Sequence, residues 1–388
     1  MRSVYQNDET AEQEDWFVTE QEHRRMERRR REAARRRRAK AIRKRRIVLF
    51  IMELFILLLL LGVVFIVTKL QRINKTDLDM DKVGVNEGIS QEAQEVMKGY
   101  KTIALFGLDN RSNGNLSKGR SDVIMIANIN NDTKEVKLVS VFRDTFLDVG
   151  EGSFQKCNAA YAKGGPEQAL TMLNKNLDLN ITDYVTVDFE AIVECVDLLG
   201  GITIPEMTDD EASLTWGYIK EINELTGHKS PYLDKGGTNV ELDGVQACAY
   251  ARIRYTAGND YRRAERQRAV LAAMVEKAQQ SDILTVNKVI NQVFGDIQTS
   301  FSNAELVAMA AQMFNYKITD STGFPFSKTT RIVSKKKGDV VIPCDLSVNV
   351  SLLHQYLFED EEYTVSDTVK KNNDLIIKET GVGLEDRD

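Results

Sequence analysis

Six arginines fall within seventeen residues: Arg252, Arg254, Arg262, Arg263, Arg266 and Arg268. Only Asp260 and Glu265 oppose them in that stretch, and none of the six is a lysine. A guanidinium is planar, permanently charged and grips phosphate oxygens in pairs, where an ammonium is a point charge. The surrounding chain is acidic: beyond residue 70, 35 Lys and Arg face 48 Asp and Glu. A positive cluster in that setting has two readings. It is a solvated helix face laced with salt bridges, or it holds a phosphate-bearing ligand.

Further Arg/Asp pairs stand at the ends of apolar runs. Asp109 and Arg111 follow the run at 103–107, Arg120 and Asp122 enter the run at 123–129, and Arg143 and Asp144 leave the run at 136–141. In open α/β sheets, ligands bind beyond the carboxyl ends of the strands. Two aspartates suit Mg²⁺, with Mn²⁺ as an alternative, and such an ion bridges phosphate oxygens. Arginines neutralise charge as it moves onto a leaving group. Other chemistries are poorly supplied. The only histidines are His23, His228 and His354, which argues against His-built zinc sites and a Ser-His-Asp triad. No P-loop and no G-x-G-x-x-G occurs, which argues against nucleotide binding. Cys157, Cys195, Cys248 and Cys344 show no C-x-x-C spacing, so disulfides and free thiols both stay open.

These residues need elements to hold them. The runs at 103–107, 123–129 and 136–141 read as strands, the last two as a hairpin. A helix is expected over 158–177, interrupted at Gly164-Gly165-Pro166. A strand at 184–188 leads into a helix at 189–199, stopped by Gly200-Gly201, and a short strand at 202–204. Residues 205–241 read as an irregular polar excursion. Helices are expected at 244–251, 263–278 and 302–315, and a hairpin at 329–341. Alternating strands and helices argue for an α/β fold, an α/β/α sandwich around a central mixed sheet. The segment 361–388 is acidic and low in aromatics, and is expected to be a loose tail.

The N-terminal region sets the topology. Residues 24–46 carry fifteen Lys and Arg against two Glu, and 47–68 is apolar except for Glu53. Twenty-two residues at ~1.5 Å each span the ~30 Å core of a bilayer. One uncleaved transmembrane helix is therefore assigned to 47–69. The positive-inside rule places 1–46 in the cytoplasm and the rest outside the cell. The basic run is expected to meet anionic lipid rather than nucleic acid. A tether at 70–100 leads to an outer domain expected over 101–360.

The blocks LFGLDNR (105–111), GRSDVIMIANIN (119–130), LVSVFRDTFLDV (138–149), KCNAAYAKGG (156–165), VTVDFEAIVECVDLLGGITI (185–204) and LDGVQACAYARIRYTAGNDYRRAERQRAVL (242–271) resemble, in order, those of the LytR-CpsA-Psr (LCP) family. The resemblance implies a cell-envelope enzyme, mainly of Gram-positive bacteria. Such an enzyme moves a glycopolymer, of teichoic acid or polysaccharide type, from a polyprenyl diphosphate carrier to peptidoglycan as a phosphodiester. It also implies a long apolar pocket for the polyprenyl chain. Asp109 and Asp122 match the Mg²⁺-associated aspartates. Arg120, Arg143, Arg252, Arg254, Arg263 and Gln267 match positions that contact or support the diphosphate. Arg143, Arg252, Arg254 and Asp260 are the implied catalytic set. Arg262, Arg266 and Arg268 fall back to the reading of a solvated helix face with salt bridges. Three departures stand out. The usual Gly-Asp-x-Gly-Arg is Asn259-Asp260-Tyr261-Arg262-Arg263, the usual Ile-Pro-Arg-Asp is Val141-Phe142-Arg143-Asp144, and Cys157 replaces an aliphatic residue. Two other functions use the same arginines: a lipid-diphosphate-binding scaffold without turnover, and a pyrophosphatase with water as acceptor.

Overall fold

A computed structural model describes residues 82–108, 116, 119–254, 259–293 and 296–386, with isolated positions before residue 80. The chain divides into two units, Met1–Thr68 and Lys69–Asp388, and the fold below is that of the second. Apart from isolated positions, the expected basic run and anchor lie outside the described residues, as do Asp109 and Arg111. No helix among the described residues is long and apolar enough to cross a membrane.

In chain order the first elements are β1 (Asn74–Lys75), α1 (Gln91–Lys98), β2 (Tyr100–Leu108), β3 (Ser121–Asn130) and β4 (Glu135–Val141). The short β5 (Phe146–Asp148) and β6 (Phe154–Lys156) precede α2 (Ala159–Leu177), β7 (Asp183–Asp188), α3 (Phe189–Leu198) and β8 (Ile202–Met207). Next come α4 (Asp209–Thr226), β9 (Gly237–Leu242), α5 (Gly244–Arg252), α6 (Asn259–Gln280), α7 (Ile283–Val293) and β10 (Ile297–Thr299). The chain closes with α8 (Asn303–Ala311), β11 (Lys317–Phe324), β12 (Lys328–Ser334), β13 (Gly338–Pro343), α9 (Leu346–Phe358) and α10 (Asp367–Thr380).

Seven strands form one mixed sheet in the order β1-β10-β7-β2-β3-β4-β11. Strand β3 runs antiparallel to both β2 and β4, while β7 and β11 lie parallel to β2 and β4. Side chains alternate across a strand, and here both faces are buried. Ala104, Phe106, Ile124, Ile126 and Val139 enter one core with residues of α2, α9 and α10. Ile103, Met125, Ala127 and Leu138 enter another, packed against Leu271 of α6 and Leu306 of α8. Apolar residues at both parities explain why β2–β4 read as continuous apolar runs rather than as an alternation.

Two expectations need correction. The stretch 205–241 is not irregular: it carries α4 and β9, and β9 pairs antiparallel with β8. A reciprocal capping box, Thr208 with Glu211, starts α4, and Gly227 in the left-handed region (φ 76°) ends it. Ala212, Ile219 and Ile222 fix α4 into a core shared with α3 and α5. Nor is 361–388 a loose tail. Helix α10 buries Val369 and Ile376, and its Asn372 donates to Asn176 Oδ1 at 3.2 Å. Buried amides that find partners replace the apolar stripe that would have revealed this helix.

Candidate functional site

Because β2 and β4 both run against β3, the end of β2, the start of β3 and the end of β4 share one edge of the sheet. Asp122 is the second residue of β3, and Arg143 lies two residues past β4. The turn after β4 is held firmly. The Cys157 backbone N–H donates to Thr145 O at 2.8 Å, that of Asn158 to Arg143 O at 3.1 Å, and the Cys157 thiol to Phe142 O at 3.2 Å. Burial pushes that thiol's pKa up, so Cys157 acts here as a small, neutral packing group. None of the four cysteines is in a disulfide.

Helix α5 brings the next arginines. Asp243 and Gln246 cap it reciprocally. At Gly244 a Cβ would lie 2.1 Å from Val193 O, so only glycine lets α5 dock this closely on α3. Arg252 ends the helix and Arg254 lies just past it. The first turn of α6 supplies Asp260 and Arg263. Tyr261, between them, packs on Phe142 with ring centroids 4.6 Å apart, and Lys328 Nζ lies 4.7 Å over the Tyr261 ring. This contact fastens α6 to the turn that bears Arg143. Phe142 and Tyr261 were not expected to matter, and the signal was present: both sit at departures from the family pattern.

One carboxylate organises the cluster. Asp122 Oδ2 accepts from Arg143 Nη1 at 2.9 Å and from Arg254 Nη2 at 3.0 Å, and Arg263 Nη2 donates to the Asp122 carbonyl at 2.7 Å. Asp260 Oδ1 lies 3.4 Å from Arg263 Nη1 and 3.7 Å from Arg143 Nη2. Asp144 pairs with Lys156 at 2.9 Å and sits 3.8 Å from Arg143 Nε. Burial works against the Asp260 carboxylate, but Arg263 and Arg143 outweigh it and hold its pKa below the usual range. Asp144 moves the other way: its burial exceeds what Lys156 and Arg143 return, and its pKa rises. Burial, reinforced by the repulsion of Arg143, lowers Arg263 to about 10. A guanidinium under that pressure is favourably placed to receive an anion.

The remaining expected residues lie elsewhere. Arg252 is not in this cluster. Its Nη2 is 3.4 Å from Glu221 of α4, and its guanidinium lies 4.8 Å over Phe189 and 5.2 Å over Tyr218. Arg120 is exposed. Gln267 lines a cavity of about 260 Å³ whose wall is almost wholly apolar, including Val123, Met125, Phe189, Ile192 and Leu271. Val123 follows Asp122 and Phe189 underlies Arg252, so the cavity wall adjoins both arginine positions. Arg262 pairs on the surface with Glu265 at 2.8 Å. Arg266 is 3% exposed and donates from Nε to Glu211 Oε1 at 2.9 Å and from Nη1 to Ile253 O at 3.2 Å. That is a buried structural pair rather than a solvated face.

Among the described residues no group of three or more His, Cys, Asp or Glu is arranged to hold a metal. Asp122 Oδ1 nonetheless takes no hydrogen bond among the described residues, since both guanidiniums use Oδ2. A single free carboxylate oxygen fits Mg²⁺, which keeps waters and takes substrate phosphates as its other ligands.

A model of the LytR_cpsA_psr family matches residues 63–332. Over 204 residues the chain is 34% identical to the Enterococcus faecalis protein called polyisoprenyl-teichoic acid–peptidoglycan teichoic acid transferase TagU, covering 52% of this chain and 59% of that protein. Over 244 residues it is 29% identical to the Bacillus subtilis protein of the same description called TagV, covering 61% and 59%. The chain thus spans 59% of the length of each of these curated relatives. The crystal structure of Bacillus subtilis TagV superposes with a TM-score of 0.53 at 24% identity, covering 69% of this chain and 99% of that one. The superposition speaks to the mixed α/β fold.

Proposed function

The chain belongs to the LytR_cpsA_psr family, and from that premise we propose that it is a phosphotransferase anchored in the membrane by residues 47–69, with its catalytic domain outside the cell. It moves a glycopolymer from a polyprenyl diphosphate carrier to peptidoglycan. The observation that carries this reading is the juxtaposition of two unlike sites. Arg143, Arg254 and Arg263 converge on Asp122, and the next residue, Val123, lines an apolar cavity suited to a hydrocarbon chain.

In this mechanism the lipid chain lies in the cavity and the diphosphate lies among Arg143, Arg254 and Arg263. Gln267, which donates to Ala251 O at 3.4 Å, marks the junction between them. Arg252 and Arg120 reach the diphosphate from its flanks, and Asp260 keeps Arg143 and Arg263 aimed. An acceptor hydroxyl attacks the glycan-linked phosphorus. A new phosphorus–oxygen bond forms, the bond to the bridging oxygen breaks, polyprenyl phosphate leaves and the hydroxyl proton passes to solvent water. The arginines stabilise the charge gathering on the leaving phosphate. Asp122 and Asp109 would hold Mg²⁺ or Mn²⁺, which would help neutralise the diphosphate charge.

Purified full-length chain, labelled polyprenyl-diphosphate glycan and peptidoglycan test the proposal directly. Mg²⁺-dependent transfer of label to peptidoglycan is the expected result. Tight binding without transfer points to a scaffold, and phosphate release without peptidoglycan to a pyrophosphatase. Either outcome overturns the proposal.

A further inference from the structure

Arg268 lies one turn beyond the cluster and faces away from it. On α6, Glu265, Arg268, Ala269 and Ala272 share one face by their spacing. That face looks onto Leu138 of β4 and onto Ile318 and Ser321 of the edge strand β11, and it leaves a cavity of about 350 Å³. Two alanines are too short to fill the gap between helix and strand. Arg268 is 8% exposed, and its Nε and Nη1 are buried with no hydrogen-bond partner among the described residues. Burial lowers its pKa, with only Glu265 and Tyr356 acting against that. Buried guanidinium N–H groups are ordinarily matched, as the neighbouring Arg266 illustrates with Glu211. Here the matching group is missing and the space for it is present.

We propose that Arg268 and the cavity between α6 and β11 form a second anion site, which takes a carboxylate carried on a short aliphatic or peptide body. A planar carboxylate complements the guanidinium fork. Leu138, Ile318 and the two alanines suit the body, and exposed Ser321 at the rim offers a hydroxyl. Glu265 also lines the cavity but is paired with Arg262, so Arg268 brings a single positive charge to the site. That favours a monoanion over a phosphate dianion.

The test is thermal unfolding of the full-length chain in detergent, titrated with N-acetyl-alanine or with inorganic phosphate. Wild type is compared with Arg268→Met, and with Ala272→Leu, which fills the cavity and keeps the charge. The expected result is a carboxylate-dependent rise in Tm for wild type, with affinity at least about tenfold weaker in both variants, the loss expected for a charge-assisted pair. A phosphate response that is equal in wild type and Arg268→Met belongs to the Asp122 cluster and leaves the proposal standing. No carboxylate response in wild type, an equal one in both variants, or a phosphate response that alone depends on Arg268 overturns it. None of these readouts depends on transfer activity, so this site and the proposed function fail separately.

Discussion

Arg263 and Arg266 stand three residues apart on α6, and each is almost fully buried, at 4% and 3% exposed. Their settings differ in kind. Arg266 meets one carboxylate and one carbonyl, and its charge is matched within the fold. Arg263 has a carbonyl and a looser carboxylate, and shares its space with Arg143 and Arg254, which repel it. Burial therefore does not separate function from structure in this chain, whereas the match between cation and anion does. At the Glu211 end the protein neutralises its own charge. At the Asp122 end two guanidiniums share a single oxygen, and the partly exposed Arg254 side chain stays open to a ligand.

The largest effect expected from this contrast is on stability. Arg266→Ala leaves the buried Glu211 charge with only its Thr208 bonds, and should lower unfolding free energy by up to about 3 kcal/mol. Denaturant melts check this, and transfer per folded molecule should be kept. The opposite pattern is expected for Arg254→Ala, whose side chain is 43% exposed. Its melting temperature should hold while transfer falls about 10²–10³-fold, as for loss of one charge-stabilising donor. A melt that collapses together with activity would erase the distinction between the two ends.

Acid sharpens the comparison further. Burial opposes the Glu211 charge, but bonds from Thr208 and Arg266 prevail and hold its pKa below the usual carboxylate range. Its contribution is complete above the unfolded pKa and is lost as pH falls through the lower folded value. Asp144 is raised above 3.8, so its ionised form costs stability at neutral pH, and that cost is relieved as pH falls toward the raised value. Glu211→Gln should thus flatten the acid-side loss of Tm. Asp144→Asn should raise Tm slightly near pH 7 and have little effect in acid. The smallest effect belongs to Arg262→Ala on the exposed face. It should change stability by less than about 0.5 kcal/mol and leave transfer unchanged.

What was legible in the sequence follows from the same physics. Strands β2–β4 showed as apolar runs because both faces of the sheet are buried, and α5 was visible between Asp243 and Arg252. Helix α4 hid behind its polar surface, although Thr208 and Glu211 spelled a capping box. Helix α10 hid because Asn372 and Asn373 occupy core positions where apolar residues would betray a helix. At the site, Asp122, Arg143, Arg254 and Arg263 were recognisable by type and motif. The partner of Arg252 was not, because Glu221 comes from the helix that went unread. Arg266 and Arg268 looked alike in sequence. Only the fold puts a carboxylate beside one and an empty cavity beside the other.

The central claim is that the guanidiniums around Asp122 hold the carrier's diphosphate. Equilibrium binding of labelled polyprenyl-diphosphate glycan to folded Arg254→Ala and Arg143→Ala tests it most directly, with Arg262→Ala as the control. At least about a tenfold loss of affinity is expected in the first two, with none in the control. Wild-type affinity in both Arg254→Ala and Arg143→Ala would contradict the account.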